Sequence, residues 1–175
     1  MILIYLTFDK IVFALIGVII IVGISLLSTQ VLGTKFTASM SGDQVAPPTD
    51  TDINGTASFR STTHDSVIKY KIKIGGTSDV SGAQIHLGKK GENGETVVDL
   101  LKDSKKNGIS LETSIRGNIT SSELQGSLKG RQLIELISAM KKGNAYVNID
   151  TPYHDNGEIR GQIITLNNHN STVGK

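Results

Sequence analysis

From residue 36 onward, the chain consists of short segments in which apolar and polar residues alternate, separated by turn residues. A two-residue period is typical of antiparallel β-strands that have one buried and one solvated face. The clearest segment is 67–74, in which isoleucine and tyrosine alternate with lysine. The pattern predicts eight strands, at residues 36–40, 56–60, 67–74, 83–87, 96–101, 110–116, 145–151 and 158–166.

A helical period interrupts the strands after residue 132. Apolar residues there recur at three- and four-residue spacing, and two lysines followed by a glycine end the segment. We predict one short helix that packs on an end of the β domain, with the stripe Leu133, Ile134, Leu136, Ile137 and Met140 and the ending Lys141, Lys142 and Gly143.

Other local signals mark turns. Thr120-Ser121-Ser122-Glu123 matches a capping box and predicts a short helical turn. Asparagine followed by glycine tolerates the positive φ angles of tight hairpins. Such pairs predict four turns, at Asn54-Gly55, Asn93-Gly94, Asn107-Gly108 and Asn156-Gly157.

Residues 11–27 are an uncharged run, IVFALIGVIIIVGISLL, that is apolar on every side. As a helix these 17 residues span about 26 Å, slightly less than a hydrocarbon core of about 30 Å, and an extension to Leu32 makes up the difference. We predict an anchor that crosses a membrane through residues 11–32 and stays in the mature protein. The alternative is a signal peptide cleaved before Thr34.

Either outcome predicts the same domain organisation. Residues 1–33 hold the anchor or signal helix, residues 34–166 form a single β domain on the outer side of the membrane, and the polar, aperiodic residues 167–175 form a disordered tail. If the anchor is removed, the protein is secreted.

Composition excludes several classes of function. The 18 basic residues are scattered among 16 acidic ones, which argues against a nucleic-acid partner. Cysteine is absent, so disulfides, thiolate metal sites and cysteine nucleophiles are excluded. No Gly-x-Ser-x-Gly elbow or comparable nucleophile motif occurs. We therefore expect no enzyme and no cofactor.

A series of longer segments then resembles a known family. In order, the chain contains FTASMSGDQVAPPTDT, GTASF, IKYKIKIGG, AQIHLGKKGENGETVVDL, GNITSSEL and GNAYVNIDTPYHDNGEIRGQI. Their order and spacing, from about Phe36 to Ile164, resemble the CHRD domain, which is named for repeats in chordin and is found alone in many microbial exported proteins. The resemblance implies an immunoglobulin-like antiparallel β-sandwich outside the cell, without a defined biochemical activity.

The chain departs from that family at two positions. The family often has histidine where this sequence has Gln84 and Asp150, so His86 alone is kept. A metal role that the family histidines would support is therefore weakened here.

Strand alternation nevertheless collects polar residues on one face of the later strands. We predict a structural polar cluster in which Arg160 bridges carboxylates, composed of Gln84, His86, Asn148, Asp150, Glu158 and Arg160. The functional alternative is a cation site with His86, Asp150 and Glu158 as ligands. A superoxide dismutase-like centre is disfavoured, because it requires a histidine-rich ligand set and the chain has four histidines in all.

Two further features concern partners and modification. Lysines 89, 90, 102, 105 and 106 follow two predicted strands and would suit an anionic surface such as polysaccharide or lipid headgroups, although solvated loop charges are the simpler interpretation. Asn54, Asn118 and Asn170 begin glycosylation motifs. The sequence thus predicts a membrane-tethered extracytoplasmic binding or structural module whose ligand is a surface protein or polysaccharide; the alternative is an exported metal-binding or redox protein.

Overall fold

A computed structural model of the chain describes residues 33–62, 64–76, 79–102 and 114–166. The predicted anchor at residues 11–32, the predicted tail at residues 167–175 and the Asn107-Gly108 turn lie outside these residues. The described elements are β1 (Lys35–Ser41), β2 (Asn54–Ser61), β3 (Ile68–Gly75), β4 (Gly82–Leu87), β5 (Thr96–Asp99), β6 (Ser114–Ile119), α1 (Leu133–Lys141), β7 (Ala145–Asp150), β8 (Ile159–Gln162) and β9 (Ile164–Thr165).

The strands are joined edge to edge in one sheet with the order β5-β4-β7-β8-β1-β2-β3-β6, and β9 also pairs with β1. Every pairing in the described sheet is antiparallel. The longest registers join β2 to β1 and β3, where alternating side chains place Ala57 and Phe59 on the inner face and Ser58 on the outer face. This is the arrangement that the two-residue period predicts.

One hydrophobic core fills the inside of the sheet. It includes side chains from strands at both ends of the strand order, such as Ile72 of β3 and Ile85 of β4, each with no exposed surface. The Tyr70 hydroxyl also donates a 2.6 Å hydrogen bond to the carbonyl oxygen of Leu100, which directly follows β5. Because β3 and β5 lie near opposite ends of the sheet, this contact requires the sheet to curl until it is nearly closed.

The helix α1 packs its apolar stripe against β7 and β9. Leu133, Leu136, Ile137 and Met140 are buried, as predicted, and Gly143 takes the left-handed φ of 67° that ends the helix. Ile134 was predicted to belong to the same stripe, but it is 44% exposed. It lies one residue after Leu133, about 100° around the helix, and so misses the core.

Among the local signals, the capping box is present. The Thr120 amide donates to the Glu123 carboxylate at 2.8 Å, the Thr120 hydroxyl donates to the same carboxylate, and a 3-10 helix follows at Ser121–Glu123. Asn156-Gly157 also lies in a turn, with Gly157 at a φ of 131°.

The turn predicted at Asn54-Gly55 is wrong, because both residues open strand β2. Gly55 is required there for space: a Cβ atom would come within 2.8 Å of both the Lys73 carbonyl oxygen and the Met40 side chain. Glycine therefore marks a close approach between strands at this position rather than a reversal of the chain.

The all-β, antiparallel character with one short helix is confirmed for the described residues. The finer prediction, an immunoglobulin-like sandwich of two sheets, stays a prediction, because the described strands form a single curled sheet. Within the described part of the chain, no helix combines the length and apolarity needed to cross a membrane.

Candidate functional site

The outer side of β4, β7 and β8 carries a cluster of polar side chains beneath the loop at residues 88–95. The register pairs Gln84 with Asn148 and His86 with Tyr146 across β4 and β7. It pairs Asn148 with Arg160 across β7 and β8. We call this group the polar cluster, with the members Gln84, His86, Tyr146, Asn148, Asp150 and Arg160.

Arg160 is the centre of this group and is only 2% exposed. Its guanidinium donates to the backbone carbonyl oxygens of Lys89 and Glu92 at 2.9 and 2.8 Å. It also donates to the Asn93 side-chain oxygen at 3.2 Å, and the Asn93 amide in turn donates to the Ala46 carbonyl oxygen at 2.6 Å. Arg160 thereby fastens the 88–95 loop to the sheet.

The predicted partners of Arg160 are wrong. None of its three hydrogen bonds goes to Asp150 or Glu158. Burial lowers the pKa of the guanidinium, but arginine keeps its charge in proteins. The carbonyl dipoles of the loop therefore replace water around this buried cation.

Tyr146 lies between two stacked neighbours and is itself 3% exposed. The Arg160 carbon Cζ lies 3.4 Å from the centroid of the tyrosine ring, and the His86 ring stacks on it at 5.0 Å between centroids and 9° between planes. The two groups come from the strands on either side of β7, so they cover opposite faces of the ring. The Gly94 amide donates to the Tyr146 hydroxyl at 3.1 Å and adds a further attachment of the loop.

Sequence reasoning missed Tyr146, although the signal was available. The alternation that places Asn148 and Asp150 on the outer face also places residue 146 there. An aromatic residue at an outer position of a strand rich in buried residues indicates that something covers that face. Here the covering is the 88–95 loop.

His86 is half-buried beside this stack. Its Nδ1 atom lies 3.0 Å from the Gly94 carbonyl oxygen. Burial lowers the pKa of His86, and the Gly94 carbonyl and the Asp150 carboxylate only partly oppose that effect. This environment favours the neutral imidazole, in which the Nδ1 atom carries the proton and donates a hydrogen bond to the Gly94 carbonyl oxygen.

Asp150 is held by two side-chain amides. Gln84 donates to one carboxylate oxygen at 2.9 Å and Asn148 donates to the other at 2.6 Å. Burial raises the pKa of Asp150 although these two donors and His86 oppose the rise. Gly82 makes room for the arrangement, because a Cβ atom there would lie 2.3 Å from Asp150 and 2.5 Å from Gln84.

Glu158 was predicted to belong to the same cluster, but its contacts lie in the turn that precedes β8. Its carboxylate accepts a 2.7 Å hydrogen bond from the Thr151 hydroxyl and lies 2.6 Å from Nδ1 of His154. Burial alone would raise the pKa of Glu158, but hydrogen bonds from Thr51, Thr151 and His154 outweigh it and lower the pKa. The side chain is 3% exposed and stabilises the 151–158 turn.

The candidate metal ligands His86, Asp150 and Glu158 are therefore engaged with three different sets of partners. In the described segments, no three histidine, aspartate or glutamate side chains come together in a way that could hold a metal ion. Of the predicted glycosylation positions, Asn54 and Asn118 are exposed on strands, and Asn170 lies outside the described residues.

The chemistry that this arrangement supports is hydrogen bonding and structural support. The guanidinium, the carboxylates and the imidazole each face groups of the same domain at hydrogen-bonding distances. Among the described residues, two buried amide oxygens, on Gln84 and Gln162, have no hydrogen-bond partner. Gln162 lies beneath the same loop, where its amide donates to the Gly88 carbonyl oxygen at 2.9 Å.

Comparison with known proteins gives one family. A family model described as the CHRD domain matches residues 36–163. No curated protein matches the chain, and no solved structure matches it.

Proposed function

The chain belongs to the CHRD domain family, and on that premise we propose that it is a membrane-tethered binding or structural module that acts outside the cytoplasm without catalytic activity. The observation that carries this proposal is the attachment of the 88–95 loop by Arg160. A module of this kind uses a rigid sheet to present loops and faces to a partner.

Two carboxylates that could serve in catalysis are used within the domain. A general acid or base must reach the proton of a substrate, and a nucleophile must be activated by a neighbouring base. The carboxylate of Asp150 faces Gln84 and Asn148, and that of Glu158 faces Thr151 and His154. These contacts support a structural role for the carboxylates.

The tether and the location rest on the sequence. The apolar run at residues 11–27 precedes β1 by only seven residues, so an uncleaved anchor would leave a short connection between the bilayer and the domain. The exported character of single CHRD domains supports an extracytoplasmic location. We also propose that the nearly closed sheet is a form of the immunoglobulin-like sandwich, in which its two halves face each other through contacts such as that between Tyr70 and Leu100.

The alternative function, an exported metal-binding or redox protein, has little support. His86 is the one family histidine that the sequence keeps, and it stacks on Tyr146 and contacts Gly94. Incubation of the purified domain with copper or zinc, followed by dialysis and metal analysis, tests this alternative. Stoichiometric retention that is lost in His86→Ala would favour it over the proposed module.

The tether is tested by fractionating cells that express the full chain with a C-terminal epitope. We expect the intact chain in the membrane fraction after an alkaline wash, with the epitope digested by protease added to whole cells. A matched variant, Ile20→Asp, places a charge in the middle of the apolar run and should release the chain from the membrane. A mature N-terminus at Thr34 in the medium would show secretion instead, and protection of the epitope in whole cells would refute the proposed orientation.

A further inference from the structure

The outer face formed by β1, β2, β3 and β6 carries a concentration of positive charge. Residues directly opposite each other on antiparallel strands have neighbouring side chains. The register places Lys35, Arg60 and Lys69 in one row across three strands. A second row contains Lys71 opposite Arg116, and a third contains Lys73. We call these six residues the basic face.

No aspartate or glutamate occupies a described outer position of these four strands. The other outer positions carry serine, threonine, asparagine or glycine. The charges also affect each other, because Arg116 and then burial and Lys73 lower the pKa of Lys71. Like charges on opposed strand positions destabilise a sheet, so folding does not explain this pattern.

Two shallow hollows lie on the basic face. One, of about 460 Å³, is lined by Lys71, Lys73 and Arg116 together with the hydroxyls of Thr56 and Ser114. The other, of about 290 Å³, includes Lys35, Arg60 and Lys69 in its lining. Cations next to hydroxyl donors provide the contacts that bind phosphate-type oxygens.

An apolar edge adjoins this charge. Ile164 of β9 lies opposite Thr37 of β1, and the amide of Leu166 donates to the Lys35 carbonyl oxygen at 2.9 Å. Both side chains face outward and are large and exposed, at 55% and 46%. Exposed aliphatic groups beside lysine and arginine are typical of surfaces that bind anionic bilayers.

We propose that the basic face, with Ile164 and Leu166 at its edge, binds the anionic headgroups of a lipid bilayer. The inference rests on the proposed membrane location, because only seven residues separate Lys35 from the apolar run in the sequence. The aliphatic edge favours a bilayer over an acidic polysaccharide, which offers no apolar phase. Binding in this way would hold the sheet flat against the membrane that anchors the chain.

The test uses residues 33–175, which form a compact unit with its own core. The protein is sedimented with vesicles of phosphatidylcholine alone or of phosphatidylcholine with phosphatidylglycerol. We expect binding to the anionic vesicles only, and loss of most of it at about 1 M salt, where charges are screened within about 3 Å.

A face variant, Arg60→Gln with Lys69→Gln and Lys71→Gln, removes three of the charges. Since each cation near an anionic membrane strengthens binding about fivefold, the variant should bind roughly 100-fold more weakly. The matched control, Lys90→Gln with Lys129→Gln and Lys141→Gln, removes the same charge from exposed positions elsewhere and should stay within about twofold of the unmodified protein. Thermal unfolding checks that both variants fold.

Three outcomes would overturn the inference. They are failure of the unmodified protein to bind anionic vesicles, equal losses in the face variant and the control, and binding to an immobilised acidic polysaccharide without binding to vesicles. Failure of the tether is a separate result, because this unit lacks the anchor. A chain that is cleaved at Thr34 but still binds vesicles through the basic face would refute the tether and keep the inference.

Discussion

Replacement of Arg160 by alanine removes the main attachment of the 88–95 loop. The substitution deletes three hydrogen bonds, to the Lys89 and Glu92 carbonyl oxygens and to the Asn93 side chain. It also uncovers one face of the Tyr146 ring. The acceptors of the loop then lose a charged donor in a site from which water is largely excluded.

The expected cost follows from two opposing contributions. Hydrogen bonds from a charged donor contribute about 1.5–3 kcal/mol each, and a desolvated cation on an aromatic ring about 2 kcal/mol. Against this, burial of a guanidinium without a carboxylate partner costs several kcal/mol in the folded state, because the group loses hydration that it regains on unfolding. We expect a net loss of about 3 kcal/mol, or a decrease in melting temperature of roughly 10 °C for a domain of this size.

Urea unfolding of residues 33–175 measures the loss directly. Arg160→Lys should fall between alanine and the unmodified protein, because one ammonium group cannot reproduce the planar fork. Arg131→Ala is the matched control: that arginine is 64% exposed, lies 4.0 Å from Glu135 and should contribute less than about 0.5 kcal/mol.

Hydrogen exchange gives a local measure of the same effect. The amides of Glu92 and Gly94, which donate to Lys89 and Tyr146, should exchange faster in Arg160→Ala than in the control. An unchanged unfolding midpoint with unchanged exchange would refute the attachment. An unchanged midpoint combined with lost binding to cell-surface material would assign Arg160 to a recognition site instead.

Three further predictions concern the neighbouring groups. Burial lowers the pKa of His86 below its usual 6.5, so the contribution of the neutral imidazole to stability should be fully present above pH 6.5 and should decrease as the pH falls toward the lowered pKa. Urea unfolding across this pH range should show a smaller pH dependence in His86→Phe. Hydrogen bonds lower the pKa of Glu158, so the contribution of its carboxylate to stability should be fully present above pH 4.5 and lost as the pH falls through the lowered pKa. Glu158→Gln should therefore lower the free energy of unfolding by about 2 kcal/mol at neutral pH. An equal loss in strong acid would contradict the role of the charged carboxylate. Gly82→Ala should destabilise by about 1–3 kcal/mol because its Cβ atom would meet Asp150, whereas Gly75→Ala, whose nearest contact is 3.7 Å, should have little effect in the same thermal melts.

The sequence was sufficient to locate the strands because the alternation of apolar and polar residues is a local property. For example, residues 67–74 were predicted and Ile68–Gly75 is observed. The strand predicted at 158–166 is divided at Ile163, whose amide donates to the Ala145 carbonyl oxygen. The order of the strands in the sheet and the curvature of the sheet depend on contacts between distant segments, and the alternation within one segment does not predict such contacts.

The same limit explains the errors about the polar cluster. Alternation assigns Arg160 to a face, but it does not say which groups the long side chain reaches. Its partners belong to a loop about 70 residues earlier, whose path depends on the glycines and on Asn93. Glu158 was misassigned because a short turn captures its carboxylate before β8 begins.

The two outer faces of the sheet have different physical roles. Beneath the 88–95 loop, Arg160 is buried and hydrogen-bonded, so its loss should appear first as lost stability. On the basic face, Arg116 and Lys73 repel Lys71, so neutralisation of these charges should leave the fold as stable or slightly more stable while weakening binding to anions. Stability and binding should therefore be separable by mutation, because each depends on a different face.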